Sequence, residues 1–419
     1  MDRSHLPHPP AGLGPLAAAV LLAAVCVSLS ACGLRVGAVP IRRDGGCPVP
    51  GRWTILSTGG VVEEPTDKLL ARLARQRVVL LGEAHDNPEH HRWQLSTITG
   101  LHALRPDLAL GFEMFPRRAQ PVLDEWVAGR LGEAEFLTRT EWRQFWGYDA
   151  ALYLPIFHFA RMYRIPMLAL NVERGLVGRV RDKGWAAIPV ADREGVTDPA
   201  AASREYATRL YRSYLDHQAS EGHGHPHEKE PDDSDLADPA FQRFVEAMQV
   251  WDRAMAQGIA DHLRDGNAPL VVAIMGSGHL EGGYGVPQQL RDLGVTRLAV
   301  ALPRAPSEGC AGLRPAVADA VFGIADRPQP SRPDRPRLGI SIDSAATGVR
   351  VRHVVPGSIA EQAGIRADDV IVRIAGETVS APSDVIDAVQ RQAPGTWLPI
   401  AVQRGDETLD LVARFPPRK

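Results

Sequence analysis

The sequence predicts a large α/β domain, with a mainly parallel sheet and helices on both faces, followed by a smaller second domain. Hydrophobic residues make up 44% of the 419 residues and charged residues 23%, values that are ordinary for globular proteins and exclude wholesale disorder. Short, almost continuously apolar runs alternate with spacers long enough for crossover helices, as expected for strands buried on both faces. A proline-rich segment then separates the two domains. The predicted strands are residues 78–81, 108–112, 167–170, 270–275 and 298–302.

Residues 1–31 are predicted to be a lipoprotein signal peptide. The apolar run over residues 16–29 is too short to span a bilayer as a helix. It ends in Leu29-Ser30-Ala31-Cys32, which resembles the bacterial lipobox, in which an acylated cysteine becomes the new N-terminus. We expect lipid on Cys32 to anchor the protein to a bacterial membrane. The outer membrane, facing the periplasm, is favoured because Gly33 rather than Asp follows. A leader that contains a cysteine by chance is the alternative.

The four cysteines are too few and too scattered for a disulfide scaffold or a cysteine-based zinc site. Cys26 leaves with the signal peptide and Cys32 carries lipid, so Cys47 and Cys310 remain in an oxidising compartment. They lie near the two ends of the large domain, and we expect a disulfide between them. Two independent free thiols are the alternative.

The mature chain divides into four parts. Residues 32–51 form a polar tether, 52–325 the large domain, 326–336 an extended, semi-rigid linker, and 337–416 the small domain. The net charge of -3 provides no global basic field, so nucleic acid is not an expected partner.

Residues 217–238 interrupt the large domain with four histidines, seven acidic residues and little apolar content, so we expect a mobile surface loop. Its histidines alternate with other residues, which suits weak capture of zinc, nickel or copper. A solvated polar loop without metal is the alternative. The histidines are His217, His223, His225 and His227.

Ionisable residues follow three of the predicted strands. Glu83 and His85 follow the first, Glu113 the second, and His279 the fourth. Because the carboxyl ends of parallel strands share one edge of a sheet, we expect these four side chains in one pocket, with Glu83 and His279 at exposed strand ends. They suit a divalent metal, or a general-base pair without metal. The alternative is that each anchors a loop, with Glu83 or Glu113 capping the next helix.

Two helices carry further candidates. Asn87 and Pro88 are suited to begin a helix that would place His90 and His91 at the same edge of the sheet. In a later helix, Trp251 and Met255 are four residues apart on one face. Both belong to the core in the simplest interpretation, and the floor of an apolar cofactor slot is the alternative.

Aromatic residues are densest between residues 142 and 157, where Tyr148 and Tyr153 lie. A flat apolar slot that contains a tyrosine suits a macrocycle, and tyrosine is a known ligand of haem iron. No Cys-x-x-Cys-His motif occurs, so any haem would bind non-covalently. The alternative is a helix pair that packs on the sheet.

Several of these motifs occur together in one known family. They resemble the ChaN-type haem-binding lipoproteins over about residues 52–305, within a wider group that contains Tiki-type metalloproteases and erythromycin esterases. The motifs are Leu81-Gly-Glu-Ala-His85 with His90-His91, Gly111-Phe-Glu-Met114, Tyr153-Leu-Pro-Ile156, Ala169-Leu-Asn-Val172, Gln249-Val-Trp-Asp252 and Gly276-Ser-Gly-His279.

The resemblance implies an α/β fold, lipid anchoring and non-covalent haem, with two haems sandwiched in a dimer and iron held by tyrosine. Tyr153 aligns with a family motif, and Tyr148 is its nearest rival as the ligand. The wider group implies that Glu83, His85, Glu113 and His279 form a hydrolytic centre, with or without metal.

Residues 337–416 resemble a PDZ domain of the type found in bacterial proteases. Arg337-Leu-Gly-Ile340 matches its carboxylate-binding loop, and residues 355–364 and 368–376 match its body. A PDZ domain binds a C-terminal peptide by strand addition. Gly339 would allow close backbone approach. A packing or dimerisation module is the alternative. The residues expected to face the peptide are Leu338, Ile340, Ile342, Val385 and Val389.

The sequence therefore predicts a lipid-anchored haem-binding protein in haem or iron acquisition, whose PDZ domain binds the C-terminal peptide of a partner. The alternative is a metal-dependent hydrolase of the Tiki or erythromycin esterase type. A third interpretation is a scaffold in which the PDZ domain alone functions. Enzymatic activity is left open, with binding favoured over catalysis.

Overall fold

The computed structural model describes residues 41–42, 47–57, 60–220, 230–264, 270–310, 313, 315, 317–326, 336–345 and 347–417. The chain divides into two compact units, Met1–Asp326 and Arg327–Lys419, called the first and second unit below. Within the described ranges, no helix combines the length and apolar character needed to cross a bilayer. The predicted signal peptide, with Cys32, lies outside the described residues.

A single sheet forms the centre of the first unit, and nine strands of the described chain belong to it. The strand order is β1-β3-β2-β9-β8-β4-β7-β5-β6; strands β4 to β9 are parallel, and β1, β3 and β2 are antiparallel additions at one edge. The strands are β1 (Ile41–Arg42), β2 (Trp53–Ser57), β3 (Gly60–Glu64), β4 (Val78–Glu83), β5 (Leu108–Pro116), β6 (Met167–Asn171), β7 (Leu270–Gly276), β8 (Leu298–Arg304) and β9 (Ala320–Gly323).

The five predicted strands are β4 to β8, and the predicted α/β class with a mainly parallel sheet is confirmed. All six residues of β4 and all seven of β7 are buried, because helices cover both faces of the sheet. The antiparallel strands β2 and β3 were not predicted. They are short and mix polar with apolar residues, so they form no continuous apolar run.

Helices pack on both faces of the sheet. One buried cluster joins Val79 and Leu81 to α1, α2, α3 and α6, and another joins Val78 and Leu80 to α10 and α11. The helices are α1 (Thr66–Leu73), α2 (Pro88–Leu104), α3 (Gln120–Val127), α4 (Glu133–Arg139), α5 (Trp142–Phe145), α6 (Leu154–Tyr163), α7 (Arg174–Lys183), α8 (Arg204–Ser220), α9 (Asp233–Leu236), α10 (Pro239–Arg264) and α11 (Val286–Asp292).

The expected surface loop over residues 217–238 is only partly described. Helix α8 continues to Ser220, so His217 lies in a helix instead of a loop, and α9 occupies Asp233–Leu236. The other three histidines of the segment, His223, His225 and His227, lie outside the described residues. Metal capture by this segment therefore stays a prediction.

The expected disulfide between Cys47 and Cys310 is confirmed, with 5.1 Å between the two Cα atoms. It fixes the chain just before β2 to the chain that follows β8. A backbone hydrogen bond of 2.8 Å from Gly51 N to Gly323 O continues this attachment. The disulfide and this backbone hydrogen bond thus hold the two ends of the first unit together.

The second unit is a small antiparallel sheet with two helices, as predicted for this part of the chain. Within the described part of this sheet, strand β10 lies at one edge and pairs only with β11. The elements are β10 (Ile340–Ala345), β11 (Gly348–Val354), α12 (Ile359–Gln362), β12 (Val370–Ile374), β13 (Glu377–Thr378), α13 (Pro382–Gln390), β14 (Trp397–Arg404) and β15 (Glu407–Arg414).

Candidate functional site

The four ionisable residues predicted at strand ends lie together. Strand β7 lies between β4 and β5, so the carboxyl ends of these three strands are neighbours. His85 Nδ1 lies 2.8 Å from Glu83 Oε1, and His279 Nε2 lies 3.4 Å from Glu113 Oε1. The backbone N–H of Gly276 donates to Glu113 Oε2 at 2.7 Å. We call these four side chains the strand-end cluster.

Glycines allow the two halves of the cluster to approach each other. A Cβ at Gly276 would lie 3.0 Å from the His85 ring and 3.7 Å from Glu113 Oε2. A Cβ at Gly82 would lie 2.4 Å from Leu302 Cδ2 and 2.7 Å from Ser277 Oγ. A larger residue at Gly82 would require Leu302 and Ser277 to shift, and one at Gly276 would press on the His85 ring.

The Glu83 carboxylate is buried among hydrogen-bonding groups, with a residue exposure of 3%. Besides His85, the Tyr153 hydroxyl donates to its Oε1 at 2.7 Å and the Gln94 amide to its Oε2 at 3.0 Å. His91 Nδ1 lies 3.3 Å from the same Oε2. Glu83 therefore does not cap the following helix; Asn87 does, by accepting from Glu89 N.

His279 is held between two carboxylates. Its Nδ1 lies 2.7 Å from Asp252 Oδ1, opposite the contact of Nε2 with Glu113. The Tyr206 hydroxyl donates to Asp252 Oδ2 at 2.6 Å. Asp252 and Tyr206 are 0% and 1% exposed. His279 is itself only 7% exposed, so the expectation of exposed strand ends is wrong for this residue and for Glu83.

The charges of the cluster compensate one another. Burial opposes charge on His279, but Glu113 and Asp252 raise its pKa to about 10, so the imidazolium form prevails at neutral pH. Burial also opposes ionisation of Glu113, yet His279 and His85 hold its pKa below the usual range. Burial raises the pKa of Asp252 despite the contact with His279. The pKa of His85 is raised despite its burial, because Glu83 and Glu113 lie beside it.

A divalent metal does not fit this arrangement. Across the described residues, no three His, Cys, Asp or Glu side chains are placed to hold a metal ion. The nitrogen and oxygen atoms that would serve as ligands instead contact one another, as in the His279 pairs. A general acid–base role without metal is what the arrangement allows.

The two tyrosines that were predicted as haem ligands differ in their exposure to solvent. Tyr153, the first choice, is 0% exposed, and burial together with Glu83 raises the pKa of its phenol far above the ordinary value. It serves as a buried hydrogen-bond donor to Glu83. Tyr148 is 40% exposed, and its ring lies 5.1 Å from that of His85. The accessible tyrosine at the cluster is therefore Tyr148.

An apolar cavity of about 580 Å³ adjoins the strand-end cluster. Its walls come from the end of α5, from one face of α7 and from α10. Trp146 lines it and contacts His85, with ring centroids 4.7 Å apart; Trp251 lines it and contacts His279 at 5.0 Å. Arg174 and Arg181 of α7 are the basic residues in the lining. The cavity thus combines aromatic surface with positive charge.

Other predicted cofactor contacts belong to the core. Met255 is 0% exposed and packs under the sheet with α11, so its assignment to the floor of a cofactor slot is wrong. His90 is buried, and its Nδ1 accepts from Ala84 N at 2.8 Å, which stabilises the turn after β4. His91 contacts Glu83 inside the cluster. Of the predicted helix residues, only Trp251 lines the cavity.

The predicted peptide groove of the second unit lies between the edge strand β10 and helix α13. Ile340 and Ile342 are half-buried on β10, while Val385 and Val389 are buried on α13. Leu338 is 3% exposed and belongs to the same buried cluster as Val385 and Val389, so its role in the groove stays a prediction.

The loop before β10 has the backbone that the prediction requires. Gly339 has a φ of +80°, and a Cβ there would lie 2.4 Å from Ser358 Cβ. Only glycine meets both conditions without strain.

Each unit of the chain matches the sequence model of a known family. Residues 69–290 match the sequence model of a family described as haem-binding uptake, Tiki superfamily, ChaN, and residues 350–404 match that of the PDZ domain. The solved ChaN of Campylobacter jejuni, with cofacially bound haem, aligns with a TM-score of 0.47 and 16% identity, covering 67% of this chain and 98% of that one.

Curated relatives match a short part of the chain. Serine protease HTRA1 of Xenopus tropicalis is 35% identical over 65 residues, which is 16% of this chain and 14% of that protein. Serine protease HTR4 of Rattus norvegicus is 46% identical over 66 residues, 16% of this chain and 13% of that protein. The chain thus spans about a seventh of the length of these relatives.

Proposed function

The chain belongs to the haem-binding uptake family ChaN of the Tiki superfamily, and from that premise we propose that its first unit binds haem non-covalently in the cavity beside the strand-end cluster. The observation that carries this proposal is the cavity itself, whose walls combine aromatic residues with two arginines. The accessible Tyr148 lies next to it, with its ring 5.6 Å from that of the lining residue Trp146. Its volume of about 580 Å³ lies within the range of cofactor pockets. Most of the affinity would come from burial of the apolar macrocycle.

We assign Tyr148 as the iron ligand. A phenolate oxygen is a hard donor that favours ferric iron. Burial and the carboxylates of Asp86 and Glu113 raise the pKa of Tyr148, so its phenol stays neutral until a metal replaces the proton. The Arg174 guanidinium acts in the opposite direction, because its positive charge favours the phenolate. Bound haem would supply ferric iron; the chain orients it and shields it from water.

Titration with haem tests the site, using absorbance to follow binding. Ser213 lines the mouth of the cavity and is exposed, so Ser213→Trp should obstruct entry without disturbing the core. We expect the wild type and the matched control Ser213→Ala to bind one haem per site, and Ser213→Trp to bind at least tenfold more weakly. Equal binding by all three proteins would place haem elsewhere.

The cellular role that we propose is haem or iron acquisition at a bacterial membrane, with a lipid anchor on Cys32. The disulfide between Cys47 and Cys310 supports an oxidising compartment, and the lipobox-like sequence supports the anchor. The PDZ domain would bind the C-terminal peptide of a partner by strand addition to β10. The unpaired edge of β10 within the described sheet and the backbone of Gly339 support this role.

One observation favours a second function, hydrolysis without metal. Of the four cluster side chains, His85 is the most exposed, at 25%, and Glu83 orients its ring. A deprotonated His85 would act as a general base toward a water molecule. Ester hydrolysis that survives chelation and is lost in His85→Gln would support this function. Hydrolysis that persists in His85→Gln would refute it.

A further inference from the structure

We propose that Arg174 and Arg181 bind the two carboxylates of a planar ligand that fills the cavity. For haem, these carboxylates are its two propionates, so the inference rests on the proposed function and deepens it. The cavity face of α7 consists of Arg174, Val177, Gly178 and Arg181, which have the i, i+3, i+4, i+7 spacing of a single helical face. The two arginines therefore lie two helical turns apart on the same wall.

Both guanidinium groups are available for a ligand. Among the described residues, the structure records no ion pair for either Arg174 or Arg181, and both are exposed. Arg118, by contrast, pairs with Glu141 and Glu173. The guanidinium of Arg174 lies 5.7 Å from the centre of the Phe145 ring, another residue of the cavity wall. Arginine matches the geometry of a carboxylate and binds it through paired N–H groups.

Gly178 supplies a second, independent observation. Glycine is among the poorest helix formers, yet it occupies the middle of α7 between the two arginines. A Cβ at this position would meet no described atom within 4 Å, so protein packing does not require glycine here. Its φ is not in the left-handed region either. A flat ligand that approaches the helix backbone would use the space that the missing side chain leaves.

The test compares haem with haem dimethyl ester, which has the same macrocycle without free carboxylates. We expect the full chain to bind haem at least about tenfold more tightly than the ester, since each charge-assisted pair is strong. The double variant R174Q/R181Q should lose this preference: its haem affinity falls about tenfold or more, while its affinity for the ester is unchanged. The matched control is R179Q, an exposed arginine of the same helix whose guanidinium donates to Asp192 O. It should behave as wild type.

Two outcomes distinguish this inference from the proposed function. If wild type binds haem and its ester equally, or R174Q/R181Q binds haem as wild type does, the arginine assignment is overturned and the haem site stands. If wild type binds no haem, both fail. A second variant, Gly178→Leu, should weaken haem and ester alike, because the added side chain enters the cavity. Unchanged affinity for both would show that the ligand does not lie over this face of α7.

Discussion

Replacing His279 with alanine removes the imidazolium that lies between two buried carboxylates. Glu113 and Asp252 are 1% and 0% exposed, so both carboxylates would lose their cationic partner in a largely desolvated site. Removing one partner of a buried ion pair typically costs about 3–5 kcal/mol, because the remaining charge is left uncompensated. We therefore expect His279→Ala to lower the free energy of unfolding of the first unit by about 3–5 kcal/mol at pH 7.

The pH dependence follows from the directions of the pKa shifts. The pKa of His279 rises from 6.5 to about 10 on folding, so its contribution is complete below the unfolded value and lost as pH rises through 10. The pKa of Glu113 falls below 4.5 on folding, so its contribution is present above that value and lost as pH falls. The difference between wild type and variant should therefore be largest between about pH 4.5 and pH 6.5 and should decline as the pH rises from there to about 10.

Urea unfolding at pH 4.5, 7 and 10 measures this difference. His279→Gln is the control of similar size without charge, and Asp252→Asn completes a double-mutant cycle with His279→Ala. We expect a coupling energy of at least about 1 kcal/mol at pH 7, since the two side chains are in contact. A cost below about 1 kcal/mol that does not change with pH would refute the charged state that we assign to His279.

Three further predictions concern other parts of the chain. The double variant Cys47→Ser, Cys310→Ser opens a loop of 263 residues and should lower the free energy of unfolding of the first unit by up to about 5 kcal/mol. The second unit contains no cysteine, so its unfolding should be unchanged. Calorimetry that shows no shift for the first unit would contradict this prediction. A peptide with a free C-terminal carboxylate should bind the PDZ domain with micromolar affinity, about -8 kcal/mol. Much of this affinity should be lost when the carboxylate is amidated or when Gly339 is replaced by valine. Equal binding of the free and the amidated peptide in calorimetry would favour a packing module. Cys32→Ser should release the protein from membranes on fractionation, and unchanged association would refute the lipid anchor.

The parallel strands were predictable because burial on both faces requires a continuous apolar run, as in β4. The meeting of Glu83, Glu113 and His279 was predictable as well, since the carboxyl ends of neighbouring parallel strands share one edge. The antiparallel strands at the other edge were not, because short strands of mixed polarity have no distinctive pattern.

Asp252 and Tyr206 were missed for a different reason. Both lie on long helices, and a polar residue on a helix is usually solvated, so sequence alone does not mark it as buried. The signal that was present is the position of Asp252 next to Trp251, in a motif shared with the resembling family. Tyr153 was placed ahead of Tyr148 because an aromatic-rich segment does not reveal which ring packs inside. The structure buries Tyr153 and leaves Tyr148 accessible.

The most direct test of haem binding at this cavity is the absorbance spectrum of the haem-loaded full chain, recorded for wild type, Tyr148→Phe and Tyr153→Phe. We predict a high-spin ferric spectrum with tyrosinate ligation for the wild type. Phenylalanine retains the packing of the ring and removes the oxygen, so Tyr148→Phe should lose this spectrum. Tyr153→Phe should keep it, because the buried Tyr153 hydroxyl serves Glu83. A wild type without any haem spectrum, or one that is unchanged in Tyr148→Phe, would contradict the proposed site.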